Sequence, residues 1–246
     1  MNSIIRIVVP AKDDLDVDAI RQGWEIAKAI SVKHEKQLLI FIPEKRQMRG
    51  TSLASAIGPD CASDIEKGKS SVGLQTLRTL NRTQCVDKVL FAVYAEDTMM
   101  DKVDSINGMF AVIALPAQKN DLNHWATTWN ADIWGEEKKK HVFAFDAVTV
   151  VALEMLTDGI NLSHPLLNPR DKEHAKNTIN ILLHHGHKAN GEDIKAWAVQ
   201  HHWIPSAANE LKSIWEKKSS LISKPRLSNA DQAKKTYAFW IEKSKG

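Results

Sequence analysis

Short apolar runs, several of them stopped by a proline, recur through the first half of this chain and fix its fold class before any motif is considered. Ile4–Val9 ends at Pro10, Gln37–Ile42 at Pro43 and Met109–Leu115 at Pro116. Lys88–Tyr94 and the shorter Ala131–Trp134 have the same character. Most are near-continuous in hydrophobicity rather than alternating, which suits parallel strands covered on both faces. Between them lie helix-period stripes. Val17, Ile20, Trp24, Ala27 and Ile30 line one face of a segment from Asp16 to Val32, with Asp16 placed to cap it. Thr98–Ile106 and Leu122–Trp129 read as further helices. Val72, Leu74, Leu77 and Leu80 predict another helix over Ser70–Asn81.

Strand–helix alternation of this kind predicts an α/β domain with an open, mostly parallel sheet and right-handed crossovers, wound in a Rossmann-like or flavodoxin-like order. The 44–69 connection is long. A structureless loop of that size is unusual in a compact domain, so the expectation is an added helix, with Ser52–Ile57 the candidate; a mobile lid is the alternative.

Strand signals fade after Glu136–Lys140, which reads as a hinge. Phe145–Leu156 is apolar nearly all round and predicts a buried helix, although its β-branched residues also suit a strand. Pro169–His185, Gly191–His201 and Ala207–Lys217 carry amphipathic stripes with start and stop signals at their ends. A last helix follows Ser228 or Asn229. The predicted organisation is therefore an α/β domain over 1–138 and an all-α helical bundle over 139–246, ending in a basic tail helix.

The chain of 246 residues carries a net charge of +3. The charge is uneven: about −3 over 141–216 and about +6 over the last thirty residues. That is a weak footprint for nucleic acid. No run reaches the length of a membrane span, and the N-terminal run is too short for a secretory signal. The expectation is a cytoplasmic protein with free thiols at Cys61 and Cys85, and no membrane partner. Eight tryptophans stand out. Burial in the core is the expected role for most, and stacking on a base or ring is the alternative.

In an open parallel sheet, ligands bind beyond the carboxyl ends of the strands. That rule selects Lys12, Asp13 and Asp14 after the first strand, and Glu44, Lys45 and Arg46 after the second. It also selects Glu96 and Asp97, then Gln118, Lys119, Asn120 and Asp121, after the next two. The cations suit a phosphate; Asp13 or Asp14 suits a ribose hydroxyl or a metal ion. Equally, loops carry charge because they are solvated.

Motifs exclude more than they assign. The first turn, Pro10-Ala11-Lys12-Asp13-Asp14, lacks the glycines of a dinucleotide fingerprint. Lys67-Gly68-Lys69-Ser70-Ser71 resembles the end of a phosphate loop, but Ser63 stands where its first glycine belongs, which leaves only a weak anion contact at a helix starting near Ser70. No nucleophile elbow and no zinc-protease motif occurs. Histidines gather late, at His141, His164, His174, His184, His185, His187, His201 and His202. The clusters sit at helix ends, where imidazole caps the last carbonyls. If a metal binds, His174, His184 and His187 are its first candidate ligands. Residues 191–226 have a helix–turn–helix outline, but the outward face of the second helix is not basic.

The first functional reading is a binding or regulatory protein. Its α/β domain takes a small anionic or nucleotide-like ligand, and its helical domain meets a protein partner, another copy of the chain or nucleic acid. A divalent-metal hydrolase or transferase built on Asp13, Asp14 or Asp97 is the second reading. A DNA-binding regulator working through 191–226 is the third. No cofactor is named by the sequence, and the order of domains carries no functional warrant by itself.

Overall fold

A computed structural model describes residues 4–106, 108–137, 142–162 and 168–246. Lys138–Lys140 of the expected hinge, and His141 and His164, lie outside the described residues. The chain divides into two compact units, Met1–His141 and Val142–Gly246.

The first unit contains β1 (Ile5–Val8), α1 (Val17–Lys33), β2 (Leu38–Ile42), a 3-10 turn (Lys45–Met48), α2 (Ser52–Ile57), α3 (Pro59–Glu66) and β3 (Gly73–Thr76). It continues through α4 (Arg82–Cys85), β4 (Val89–Ala95), α5 (Asp97–Asp104), β5 (Ala111–Pro116), α6 (Asn123–Trp129) and β6 (Asp132–Ile133). These strands form one parallel six-stranded sheet in the order β3-β2-β4-β5-β1-β6. The class is the expected open α/β sheet. The order is neither the dinucleotide-binding 3-2-1-4-5-6 nor the flavodoxin 2-1-3-4-5 winding.

Both faces of the sheet are covered, and period-two alternation divides the strand residues between two cores. Phe91, Val93 and Ile113 pack with Ile20 and Trp24 of α1, Leu53 of α2 and Ile65 of α3. Leu90, Ala92 and Val112 pack on the other face with Met99, Met100 and Val103 of α5 and Trp125 of α6. Every residue of β2, β4 and β5 is buried, which is why those runs read as continuous apolar stretches. Gly23 lets α1 lie close on the sheet, because a Cβ there would sit 2.7 Å from Cε2 of Phe91.

Two sequence expectations are resolved in this unit. The segment from 44 to 69 holds the 3-10 turn, α2 over the expected Ser52–Ile57, and α3, so it is helical rather than a bare lid. The helix expected over Ser70–Asn81 is corrected. Gly73–Thr76 is a strand paired with Leu39–Ile42, followed by a turn and the short α4. Val72, Leu74, Leu77 and Leu80 fit a helix period, but pairing with the open edge of β2 offers a ladder that an isolated helix cannot match. The anion contact proposed for a helix at Ser70 falls with that helix.

The second unit is all helical: α7 (Ala147–Asp158), α8 (Pro169–His184), α9 (Gly191–Gln200), α10 (Pro205–Ser219) and α11 (Ala230–Lys243). Asp146, Asn168, Asn190 and Asn229 cap α7, α8, α9 and α11 through side-chain acceptors. The apolar Phe145–Leu156 run is thus a helix, not a strand. Trp197, Trp203, Trp215 and Trp240 are buried, as core tryptophans should be. Among the described residues no helix is long and apolar enough to cross a membrane. Cys61 and Cys85 are unpaired, and burial pushes both thiols above their ordinary pKa.

Candidate functional site

The path of the chain locates a topological switch point in the first unit. From β1 the chain crosses to β2 and then β3 on the face covered by α1, α2 and α3. From β3 it returns through β4, β5 and β6 on the face covered by α4, α5 and α6. Connections leaving the adjacent strands β2 and β4 therefore diverge to opposite faces. In open parallel sheets a switch point of this kind, at the carboxyl edge, is where ligands commonly bind.

All the charged exits selected from sequence lie at that edge, because every strand runs the same way. Lys12, Asp14, Lys45, Arg46, Glu96, Asp97 and Lys119 are exposed, and Asp13 is half-buried. The exits of β1 and β5 are joined by a backbone bridge between Asp13 and Gln118. Several exit carboxylates are occupied by their own loops. Asp13 accepts from the Leu15 amide at 2.9 Å, and Asp121 from the Gln118 amide at 2.7 Å. Arg46 is paired with Glu44 at 2.7 Å. Glu96 is the cap residue of α5 and Asp97 opens its first turn. No group of three His, Cys, Asp or Glu side chains converges as a metal site among the described residues.

Tyr94 is the residue that sequence reasoning missed. It is the penultimate residue of the central strand β4 and has a φ of +59°, a left-handed conformation that costs a bulky side chain free energy. The pairing of β4 with β5 slips between Val93 and Ala95. As a result Val93 and Tyr94, consecutive in sequence, both enter the core under α1 and α2. The Tyr94 hydroxyl accepts the Leu53 amide at 3.0 Å, where the chain leaving β2 begins α2. Burial raises the phenol pKa against hydrogen bonding with Thr51, Leu53 and Ser52, and the nearby Asp14 charge adds to the rise. The strained Tyr94 thus ties the exit of β4 to the chain leaving β2. No sequence signal marks a tyrosine for positive φ.

A second group of polar side chains lies in the helical unit. His187 and Asp146 share a 2.8 Å contact between Nδ1 and Oδ2, and Nε2 of His187 lies 3.0 Å from the Tyr237 hydroxyl. Asp146 also accepts from the amide and hydroxyl of Thr149. Burial pushes the Asp146 carboxyl up, but the bonds from His187 and Thr149 outweigh it and hold it below the ordinary range. His185 stacks on Tyr237 with ring centroids 3.6 Å apart. Burial first, then His184, His187 and Lys224, lowers its pKa.

All of this group falls inside a recognisable segment. Residues 145–241 match the family described as a domain of unknown function, DUF1889. No curated protein and no solved structure matches the chain. The DUF1889 segment runs from just before the Asp146 cap to the last turns of α11.

Within that segment the histidines expected to cap helices divide. His201 does so, its Nδ1 meeting the Trp197 carbonyl at 2.7 Å at the end of α9. His184 instead meets the carbonyl of Pro225 at 3.2 Å, and His187 holds a carboxylate and a phenol. His174 lies against Gly159, where a Cβ would be 2.7 Å from its Cε1. The candidate metal ligands His174, His184 and His187 are thus each directed to a different neighbour. Two lysines on or beside the helix of the DNA-binding reading are engaged in ion pairs. Lys212 of α10 pairs with Glu192 and Glu216, and Lys172 pairs with Glu210. Leu211, Ile214 and Trp215 turn α10 inward.

Proposed function

We propose that this chain is a ligand-binding protein with a regulatory role. In this reading a small anionic or nucleotide-like ligand binds at the carboxyl edge of the sheet, where β2 and β4 part. The DUF1889 segment then serves as the region that meets a protein partner or a second copy of the chain. The observation that carries the reading is Tyr94, held in a costly backbone conformation at the switch point and bonded across to the chain leaving the neighbouring strand. Strain of this kind gathers at ligand sites, because the surrounding structure has to sustain it for a reason other than stability. Lys12, Lys45 and Lys119 offer positive charge along the same edge.

Thermal unfolding of the full chain with nucleotides and phosphorylated metabolites tests the reading. A ligand at a hundred times its Kd stabilises by about 2.7 kcal/mol, a rise of several degrees. That rise is expected to shrink in Lys12→Ala and Lys119→Ala. A screen in which no phosphorylated compound moves the transition overturns it.

A further inference from the structure

The chain between α10 and α11 carries two large aliphatic side chains in solvent. Leu221 is 51% exposed, and Ile222 is fully exposed. Single apolar residues on a surface are ordinary. These two are adjacent, and both ends of their loop are held down. Ile214 and Trp215 fix the last turns of α10 in the core. Beyond the tip, Pro225 is buried, and its carbonyl accepts from Nδ1 of His184 at 3.2 Å. The Ser228 hydroxyl donates to Oδ1 of Asn177 at 3.0 Å. Between these anchors every residue of 219–224 is exposed. The loop is a projection with an aliphatic tip.

The charge around that tip has one sign. Lys217 and Lys218 precede it, and Lys224 and Arg226 follow it. Residues 217–230 contain no Asp or Glu. The acids that bound the stretch are Glu216, which lies 3.8 Å from Lys212, and Asp231 in the first turn of α11. Lysines elsewhere in this unit are neutralised, Lys172 by Glu210 and Lys212 by Glu192. None of the four cations beside the tip forms an ion pair among the described residues.

We propose that this loop docks the DUF1889 segment onto an anionic lipid bilayer, with its four cations at the headgroups and Leu221 and Ile222 in the acyl boundary. Clusters of four or more Lys and Arg are drawn to anionic leaflets. The aliphatic pair decides between lipid and nucleic acid. Against a duplex it would meet phosphates and gain nothing, whereas at a membrane interface it leaves water for hydrocarbon. A bilayer also needs no matching cleft. Such contact is peripheral and uses no spanning helix, the feature on which the expectation of no membrane partner rested. It is independent of the ligand at the sheet edge and leaves the rest of the DUF1889 surface to a protein partner.

The experiment sediments the full chain with vesicles of phosphatidylcholine alone and of phosphatidylcholine mixed with phosphatidylglycerol. Binding to the mixed vesicles is expected to be at least about tenfold tighter and to weaken as salt is raised. Lys224→Gln combined with Arg226→Gln should weaken it by about tenfold or more. Leu221→Ser combined with Ile222→Ser should do the same at equal salt. Its Tm should match that of the parent, because both side chains are solvated in the free chain. The proposal fails if millimolar lipid containing phosphatidylglycerol does not sediment the chain. It fails if the double serine variant binds vesicles as tightly as the parent, since charge alone then accounts for the contact. Duplex DNA that displaces the chain from vesicles and binds the serine variant equally well would assign the cations to nucleic acid and overturn it. So would dimerisation of the parent in solution that the serine variant loses, which places the tip between two copies.

Discussion

Trp129 donates its indole N–H to Oδ2 of Asp104 at 3.0 Å. Trp125, one helical turn earlier, donates to the other oxygen at the same distance. Arg6 of β1 lies over the Trp129 ring, 3.7 Å from its centroid. Burial raises the Asp104 carboxyl to about 6 against the two indole bonds and the Arg6 charge. Burial also lowers Arg6 to about 10, with Asp104 acting in the opposite sense. The carboxylate therefore anchors the end of α5 to α6 and to the sheet.

The pH dependence of the first unit follows from this group. The folded pKa of Asp104 stands above the ordinary value of 3.8, so the folded state holds more protons between about pH 4 and 6. Its contribution to stability is full below that window and is lost as pH rises through about 6, on the order of 3 kcal/mol. Denaturant unfolding of the parent chain and of Asp104→Asn across this range isolates the effect. The difference between them should decline with rising pH and level off near neutrality; a flat difference would refute the coupling.

Trp129→Phe keeps a ring under Arg6 but leaves Oδ2 of Asp104 without its donor. A loss of about 1.5–3 kcal/mol is expected at pH 7, the range for a hydrogen bond to a charged group, and less at pH 4. Equal losses at both pH values would mean that the ring contributes only by packing.

Tyr94→Phe removes the hydroxyl that accepts the Leu53 amide and leaves that buried N–H without its partner. About 1–2 kcal/mol of stability should be lost, while the left-handed backbone and the ring packing remain. If the sheet edge binds as proposed, the same variant changes ligand affinity beyond what its Tm predicts. Calorimetric titration with whichever phosphorylated compound stabilises the parent chain reads that out.

Asp146 is predicted to act twice, as the cap of α7 and as the partner of His187. Asp146→Ala should cost about 1–2 kcal/mol through the lost cap. Because its folded pKa is depressed, the contribution is present above the usual carboxylate range and fades as pH falls through the folded value. Far-ultraviolet circular dichroism during acid titration of both proteins checks the direction.

Gly23→Ala is expected to destabilise even though alanine favours helix. Its new methyl would meet Phe91 at 2.7 Å, and an overpacked core position costs about 1–3 kcal/mol. A gain in Tm would show that the ring can move aside.

The α/β class was legible because each apolar run carries its own signal. Ile40 and Phe91 report burial whatever strand lies beside them, and Asp16, Asn190 and Gly159 mark helix ends within a few residues of the helices they bound. The shared edge of Lys12, Lys45, Glu96 and Lys119 followed from parallel direction alone. Other features were not legible. Val72–Leu80 has the spacing of a helix, and only the free edge of β2 makes it a strand. His184 and His187 sit at a helix end, yet partners 41 residues away take their ring nitrogens. Asp104 carries no sequence signal of its role, because its two donors lie on α6.

The amino-acid sequence by itself determined local hydrophobic periodicity, and with it the existence of the sheet, most of the helices and the caps that end them. Those depend on neighbours a few residues apart. Tertiary structure alone decided the strand order, the left-handed turn at Tyr94 and the burial of Asp104 between two indoles. Each requires groups far apart in the chain to meet, and the free energy of that meeting appears in no single segment.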